Sequence, residues 1–203
     1  MPHDVSGYTV AVLLFVSFVF AAGDPTFSVD RGVFDAGFML AVAPEDPADT
    51  LLVSVDGSEP SLAYAGPFEV DSTLIVRAVE IGADGVRGTT VTHTYLFPAD
   101  IIQQTAMDPA ITSSAAYEAP VLRTLAELPS VSIVSAGSVW TTKVAASAEW
   151  IDPNGEDLQV NCAVARTGTT SLGYPKTSLR LYFNGDFGPT NVDFDFWSLD
   201  EPG

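Results

Sequence analysis

The sequence predicts a mainly β protein: an antiparallel β-sandwich, a short helical connector, and a second β-rich region. Three observations carry this. Apolar residues alternate with polar ones over short runs, first in residues 25–97 and again in 129–183. Turn signals punctuate those runs, among 16 Gly and 14 Pro in a chain of 203 residues. Hydrophobic residues make up 47% of the chain, enough apolar surface to build a core despite a formal net charge of -18.

The chain opens with an apolar run, residues 10–22 (VAVLLFVSFVFAA). It is too short to span a bilayer core, which takes about 20 residues. It fits the apolar core of a secretory signal peptide over 1–23, with Ala21, Ala22 and Gly23 as small residues for cleavage. The leading MPHDVSGY lacks the usual Lys or Arg. A buried strand, or a Met1 that is not the natural start, is the alternative.

Residues 24–97 read as about six short strands. Phe38, Leu40 and Val42 alternate with Met39 and Ala41, and Pro44 to Pro47 breaks the run. Leu51, Val53 and Val55 face one way and Ser54 the other. Asp56-Gly57 then turns the chain: Gly57 can take a positive φ, and Asp56 and Ser58 can bond local backbone. Residues 72–81 (STLIVRAVEI) form the longest strand candidate, and 88–97 the last. Strands at this spacing argue for an antiparallel sandwich. Phe27, Phe34, Tyr64 and Phe68 are assigned mostly to its core.

Residues 98–128 change character. Asp108-Pro109 interrupts them, and 117–125 can form a short helix in a packed connector. From 129 onward strands return. Val131 and Ile133 alternate with serines, and 148–151 is a strand ending in the turn Asp152-Pro153-Asn154-Gly155. Leu158, Val160, Cys162 and Val164 share one face, as do Leu179, Leu181 and Phe183.

Charge excludes one class of function. Eight Lys and Arg against 26 Asp and Glu leave too little positive charge for a nucleic-acid binder or for docking on an anionic membrane. The 24–100 segment alone holds 13 acids against Arg31, Arg77 and Arg87, which favours a soluble monomer. One cysteine permits no intramolecular disulfide, and two histidines leave little for His-centred metal or triad chemistry.

Candidate chemistry is therefore sparse. Asp152, Asn154, Glu156 and Asp157 form a polar loop that reads as a solvated turn. Its alternating oxygens make it the candidate Ca²⁺ site, although the full EF-hand pattern is absent. Asp193 and Asp195 share a face of a possible strand, VDFDF, and read as an acidic exposed face rather than as acid–base groups or metal ligands. Cys162 reads as a buried, unreactive thiol. His93, between two threonines, reads as a surface or edge residue. Lys176 and Arg180 read as a solvated strand edge.

Two resemblances sharpen this picture. Residues 25–95 resemble the fibronectin-type-III-like sandwich first described at the C-terminus of chitobiase and β-hexosaminidase. The likeness rests on PTFSVDRGVFDAGFMLAV, SVDGSEPSLAYAGPFEV, STLIVRAVEIGADG and VTHTY. Its signature is Val55-Asp56-Gly57-Ser58-Glu59-Pro60, a turn device of structural residues Asp56, Gly57, Ser58 and Pro60. The blocks THTYLFPADIIQQ, MDPAITSSAAYEAPVLRTLAELPSVSIV, SAEWIDPNGEDLQVNCAVARTG and PKTSLRLYFNGDFGPTNVDFDFW resemble the front of secreted bacterial CotH-like proteins. These are related to spore-coat CotH proteins, some of which are atypical protein kinases.

That second resemblance implies an α+β CotH-like domain beginning at 129 and truncated by 203. It places the nucleotide- and metal-binding acids of the kinase-like core outside this chain. No catalytic or cofactor-binding residue is carried over, and ATP and Mg²⁺ are expected only with that core. In a complete core, basic residues near Lys176 and Arg180 could meet phosphate. The expectation is a non-catalytic N-terminal fragment of an exported protein, secreted or at the cell surface and off the membrane after signal cleavage. Its sandwich would be a spacer or a module for meeting a surface protein or glycan. The alternative is a carbohydrate-binding accessory module of a glycan-degrading system.

Overall fold

The computed structural model of the chain describes residues 22–174 and 176–194. Most of the 10–22 apolar run lies outside them, as does Asp195. The protein is mainly β, with several antiparallel sheets in a sandwich-like arrangement.

Nine strands build the first unit: β1 (Thr26–Phe27), β2 (Gly32–Val33), β3 (Phe38–Leu40), β4 (Val42–Ala43), β5 (Thr50–Ser54), β6 (Leu62–Ala63), β7 (Phe68–Val70), β8 (Leu74–Ile81) and β9 (Val91–Leu96). Five of them form one sheet in the order β2-β9-β8-β5-β6. The ribbons β1-β4 and β3-β7 supply the opposing layer. The core between them holds Leu40, Val42, Leu51, Val53, Val70, Val76, Ala78 and Tyr95. The alternation at 38–42 is as expected: Leu40 and Val42 are buried, while Met39 is exposed.

One pairing is parallel, that of β2 with β9. Two expectations for this unit need correction. Val55 does not join Leu51 and Val53 in the core. The strand ends at Ser54, so Val55 is exposed, and Ser54 is itself buried, donating its hydroxyl to the Ser58 carbonyl. His93 is no surface residue. It points into the sandwich from β9, only 6% exposed, and stacks on Phe27 with ring centroids 4.0 Å apart.

Three helices follow: α1 (Pro98–Ile101), α2 (Pro109–Thr112) and α3 (Glu118–Glu127). Asp108 caps α2 by accepting from the Ala110 amide, and Pro109 takes the first turn, where no N–H is needed. No residue of α3 is fully buried, so it lies on the molecule rather than within it.

The second unit is one antiparallel sheet, β10 (Ser130–Val134), β11 (Val144–Ile151), β12 (Leu158–Thr167) and β13 (Ser178–Tyr182), in sequential order. β11 begins four residues earlier than the sequence suggests, because Ala145 to Ser147 pair along β12 even though small residues signal a strand weakly. Ala146, Ala148, Val160, Cys162 and Val164 form its core on one face. The other face turns toward β9 of the sandwich. Residues 191–194 form no strand, so the expected strand face for Asp193 is absent, and that residue is simply exposed. They follow the turn at Asn184, whose carbonyl accepts from Phe187 and Gly188, and no described strand pairs with them.

Candidate functional site

The site that organises this molecule is the joint between the two units. It begins with a parity argument. In β9, His93 and Tyr95 point into the sandwich, so Thr92 and Thr94 must point out of it. In β11, Ala146 and Ala148 face their own core, so Ser147 and Glu149 face β9. Two polar strips therefore meet where both sheets exclude water. Thr92, Thr94, Ser147 and Glu149 are each at most 3% exposed.

Glu149 is the centre of the joint. One of its oxygens, Oε1, accepts from the Thr94 amide at 3.0 Å and faces the Arg31 Nε at 3.5 Å. Its Oε2 accepts from the Thr94 hydroxyl, which also meets the Ser132 hydroxyl at 2.8 Å. The Asn161 amide donates to the Thr90 carbonyl at 3.1 Å, closing the joint farther along β12. Burial pushes the Glu149 carboxyl up from its ordinary value, while the Thr94 hydroxyl and the Arg31 guanidinium pull the other way.

The Asp56-Gly57 turn belongs to the same joint. Gly57 has φ +78°, as the turn requires. Asp56 accepts from the Ser58 amide at 3.0 Å, and the Ser58 hydroxyl, together with that amide, holds its carboxyl below the usual range. From β8, Arg77 donates to the Gly57 and Ser58 carbonyls and pairs with Glu59 at 3.1 Å. Arg87 reaches the Pro60 carbonyl, so the whole signature is tied down. A Cβ on Gly57 would lie 3.2 Å from Val134 Cγ1, so the turn presses against β10 of the second unit. The sequence marks this as a turn; its second role, as a contact between units, is visible only in the fold.

Beside the joint opens a cleft of about 840 Å³, lined among others by Arg31, Phe34, Phe97, Leu122, Ile151 and Asp157. The DPNGED loop reaches it. Asp152 and Asp157 line the cleft, yet their oxygens also tie the loop itself. Asp157 accepts from the Asp152 amide at 2.8 Å, Asp152 accepts from the Asn154 amide at 2.9 Å, and the Asn154 side chain donates to the Glu127 carbonyl. Burial raises the Asp157 carboxyl. Glu156 is exposed on the same loop. Among the described residues, no group of three or more His, Cys, Asp and Glu is placed to hold a metal ion.

Reactive groups lie elsewhere and are buried. Cys162 is fully buried in the second core, and desolvation pushes its thiol up to about 11. Desolvation, aided by the charge of Arg31, pulls His93 down to about 3. Lys176 and Arg180 are exposed at β13. Phe27, Phe34, Tyr64 and Phe68 pack against the sandwich core rather than forming an open row. Among the described residues, no helix is long and apolar enough to cross a membrane. No family model, curated protein or solved structure matches this chain. Sequence reasoning missed Glu149 and Thr94. The available signal was a lone Glu in the apolar strand VAASAEWI, a position where a charge needs a partner.

Proposed function

We propose that this chain is a non-catalytic module of an exported CotH-like protein, in which the sandwich is a spacer that holds a kinase-like core or a surface-binding part at a set position. The observation that supports this best is the Thr94–Glu149–Arg31 joint. A buried, hydrogen-bonded carboxylate tolerates one geometry and penalises others, because any displacement leaves it desolvated and unpaired. Such a joint suits a spacer, whose use depends on a fixed angle between its parts. The titratable groups it gathers are engaged with one another, which fits a structural role.

Two measurements test the reading. Calorimetric titration of the whole chain with ATP and Mg²⁺ should give no binding heat; micromolar affinity would overturn the non-catalytic assignment. Small-angle scattering should give one rigid shape for the protein and a broader distribution for Glu149→Ala. Identical profiles would remove the joint as the basis for a spacer.

A further inference from the structure

The sandwich sheet ends in an open edge, and that edge runs along the cleft. β2 is the outermost strand of the order β2-β9-β8-β5-β6. Its register sets Gly32 against Tyr95 and Val33 against Leu96, and the Phe34 amide donates to the Leu96 carbonyl. Gly32 and Phe34 therefore turn their amides toward β9. Val33 lies between them, so its N–H and C=O point the other way. No described strand pairs with that side of β2. The consecutive residues Arg31 to Asp35 all line the cleft. A cavity over one face of a strand touches alternate residues; contact with consecutive ones places this cavity along the edge.

The cleft is apolar within and acidic at its mouth. Phe97 and Ile151 are buried in its wall, while Asp35 and Asp157 are exposed. Asp30 stands with Asp157 around a smaller hollow that shares Arg31 with the cleft. The cations here are already matched, Arg31 with Glu149 and Arg123 with Glu127 one helical turn away. Among the described residues, no salt bridge engages Asp30, Asp35, Asp152 or Asp157. Burial raises the Asp157 carboxyl, and the charges of Asp30 and Asp152 push it the same way, so a cation brought here would relieve all three.

We infer that this cleft receives an extended peptide segment of a partner protein, bearing Lys or Arg at alternate positions, which adds as a strand to the open edge of β2. The Val33 N–H and C=O bond its backbone. Arg31 reaches Glu149 on β11, so alternate side chains of the added strand point toward the second unit, where Asp152 and Asp157 stand. The intervening side chains lie on the Phe34 side of the edge. From Arg31 to Asp35 the edge offers about 13 Å at the usual strand rise, room for about four peptide residues. The net charge of -18 draws a basic segment toward the molecule. Strand addition of this kind takes affinity from backbone bonds and specificity from alternate side chains. The inference goes beyond the spacer reading and does not depend on the CotH-like assignment.

The test is fluorescence anisotropy of a labelled, end-blocked pentapeptide of alternating valine and lysine, titrated with the whole chain. The peptide should bind, and binding should weaken as salt rises from about 50 to 300 mM, across the range in which surface charge is screened. The same peptide with glutamate in place of lysine should not bind. N-methylation of each peptide residue in turn should weaken binding at alternate positions, about fivefold or more, because only alternate amides of an added strand face β2. On the protein, Val33→Pro removes an N–H that β9 does not use and should weaken binding by a similar factor. Asp35→Asn with Asp157→Asn should weaken it about tenfold at low salt. Unchanged melting will show that each variant is folded, and the N-methyl series asks the same question of the unaltered protein. No binding of the lysine peptide, equal binding of the glutamate peptide, or an N-methyl series without alternation would each overturn the inference. So would a dimer that the peptide does not dissociate, which would assign the edge to a second copy of the chain.

Discussion

His93 should make this protein acid-labile, by an amount that can be worked out. The ring is 6% exposed and stacked on Phe27, and its Nδ1 has no hydrogen-bond partner. Desolvation and the nearby Arg31 charge hold its pKa at about 3, against 6.5 for a free imidazole. The native state therefore binds fewer protons than the unfolded state between those two values. Stability from this group is complete above about pH 6.5 and is lost as pH falls toward 3. Between pH 7 and pH 4.5 the loss comes to about 2.5 kcal/mol, using about 1.36 kcal/mol per pH unit. The perturbation is His93→Phe, which keeps a stacking ring and removes the titrating nitrogens. Urea unfolding at both pH values, followed by circular dichroism, measures the change. The parent should lose about 2.5 kcal/mol more than the variant over that interval. Other titrating groups are common to both proteins and cancel. Equal losses would mean that the imidazole is charged or hydrated in the folded state, and the burial argument would fail.

Three further outcomes are expected. Glu149→Ala leaves the buried Thr94 amide and hydroxyl without their acceptor and should cost about 1–3 kcal/mol at mildly acid pH. Because the native carboxyl is raised, the penalty should shrink as pH climbs above 4.5, read from denaturation midpoints across pH. Gly188→Ala would drive a Cβ into the Asn161 carbonyl of β12 and should destabilise the second sheet by about 1–3 kcal/mol. Trp140 and Trp150 lie at and in β11 of that sheet, so the fluorescence transition should come at lower urea in the variant than in the parent. Cys162 should resist a thiol-directed colour reagent at pH 8 in the native protein and react fully in urea, since burial removes both access and thiolate; fast native labelling would contradict its placement in the core.

How far the fold could be read depended on period and turn chemistry. Leu40 and Val42 alternate cleanly with exposed Met39, and Val160, Cys162 and Val164 share the core face of β12 as alternation predicts, although Ala163 and Ala165 on its other face are buried as well. The positive φ of Gly57 followed from Asp56-Gly57 for local reasons. Period alone misplaced Val55 because it does not say where pairing stops. It was silent on β2, a two-residue strand held parallel to β9 by partners 63 residues away. His93 was misread as an edge residue because Thr92 and Thr94 beside it look like solvent-facing positions. They do face outward from the sandwich, but what meets them there is β11, not water.

Alternation, turn residues and charge are local properties of the chain. They specify a mainly β protein with a sandwich ahead of a second sheet, an acidic surface, a buried thiol and a poor stock of reactive side chains. Which polar residues are desolvated is a property of pairs of elements distant in the chain. Glu149 lies 55 residues from Thr94 and far from Arg31 in sequence, and no local pattern links the three. Docking the outer face of β9 on β11 turned an unremarkable glutamate into the centre of the joint. The same docking shut Thr92 and Thr94 away from water, while β1 closed over His93 on the opposite face. Burial is collective: a side chain loses water only when a second surface arrives, and the fold alone specifies which surface that is.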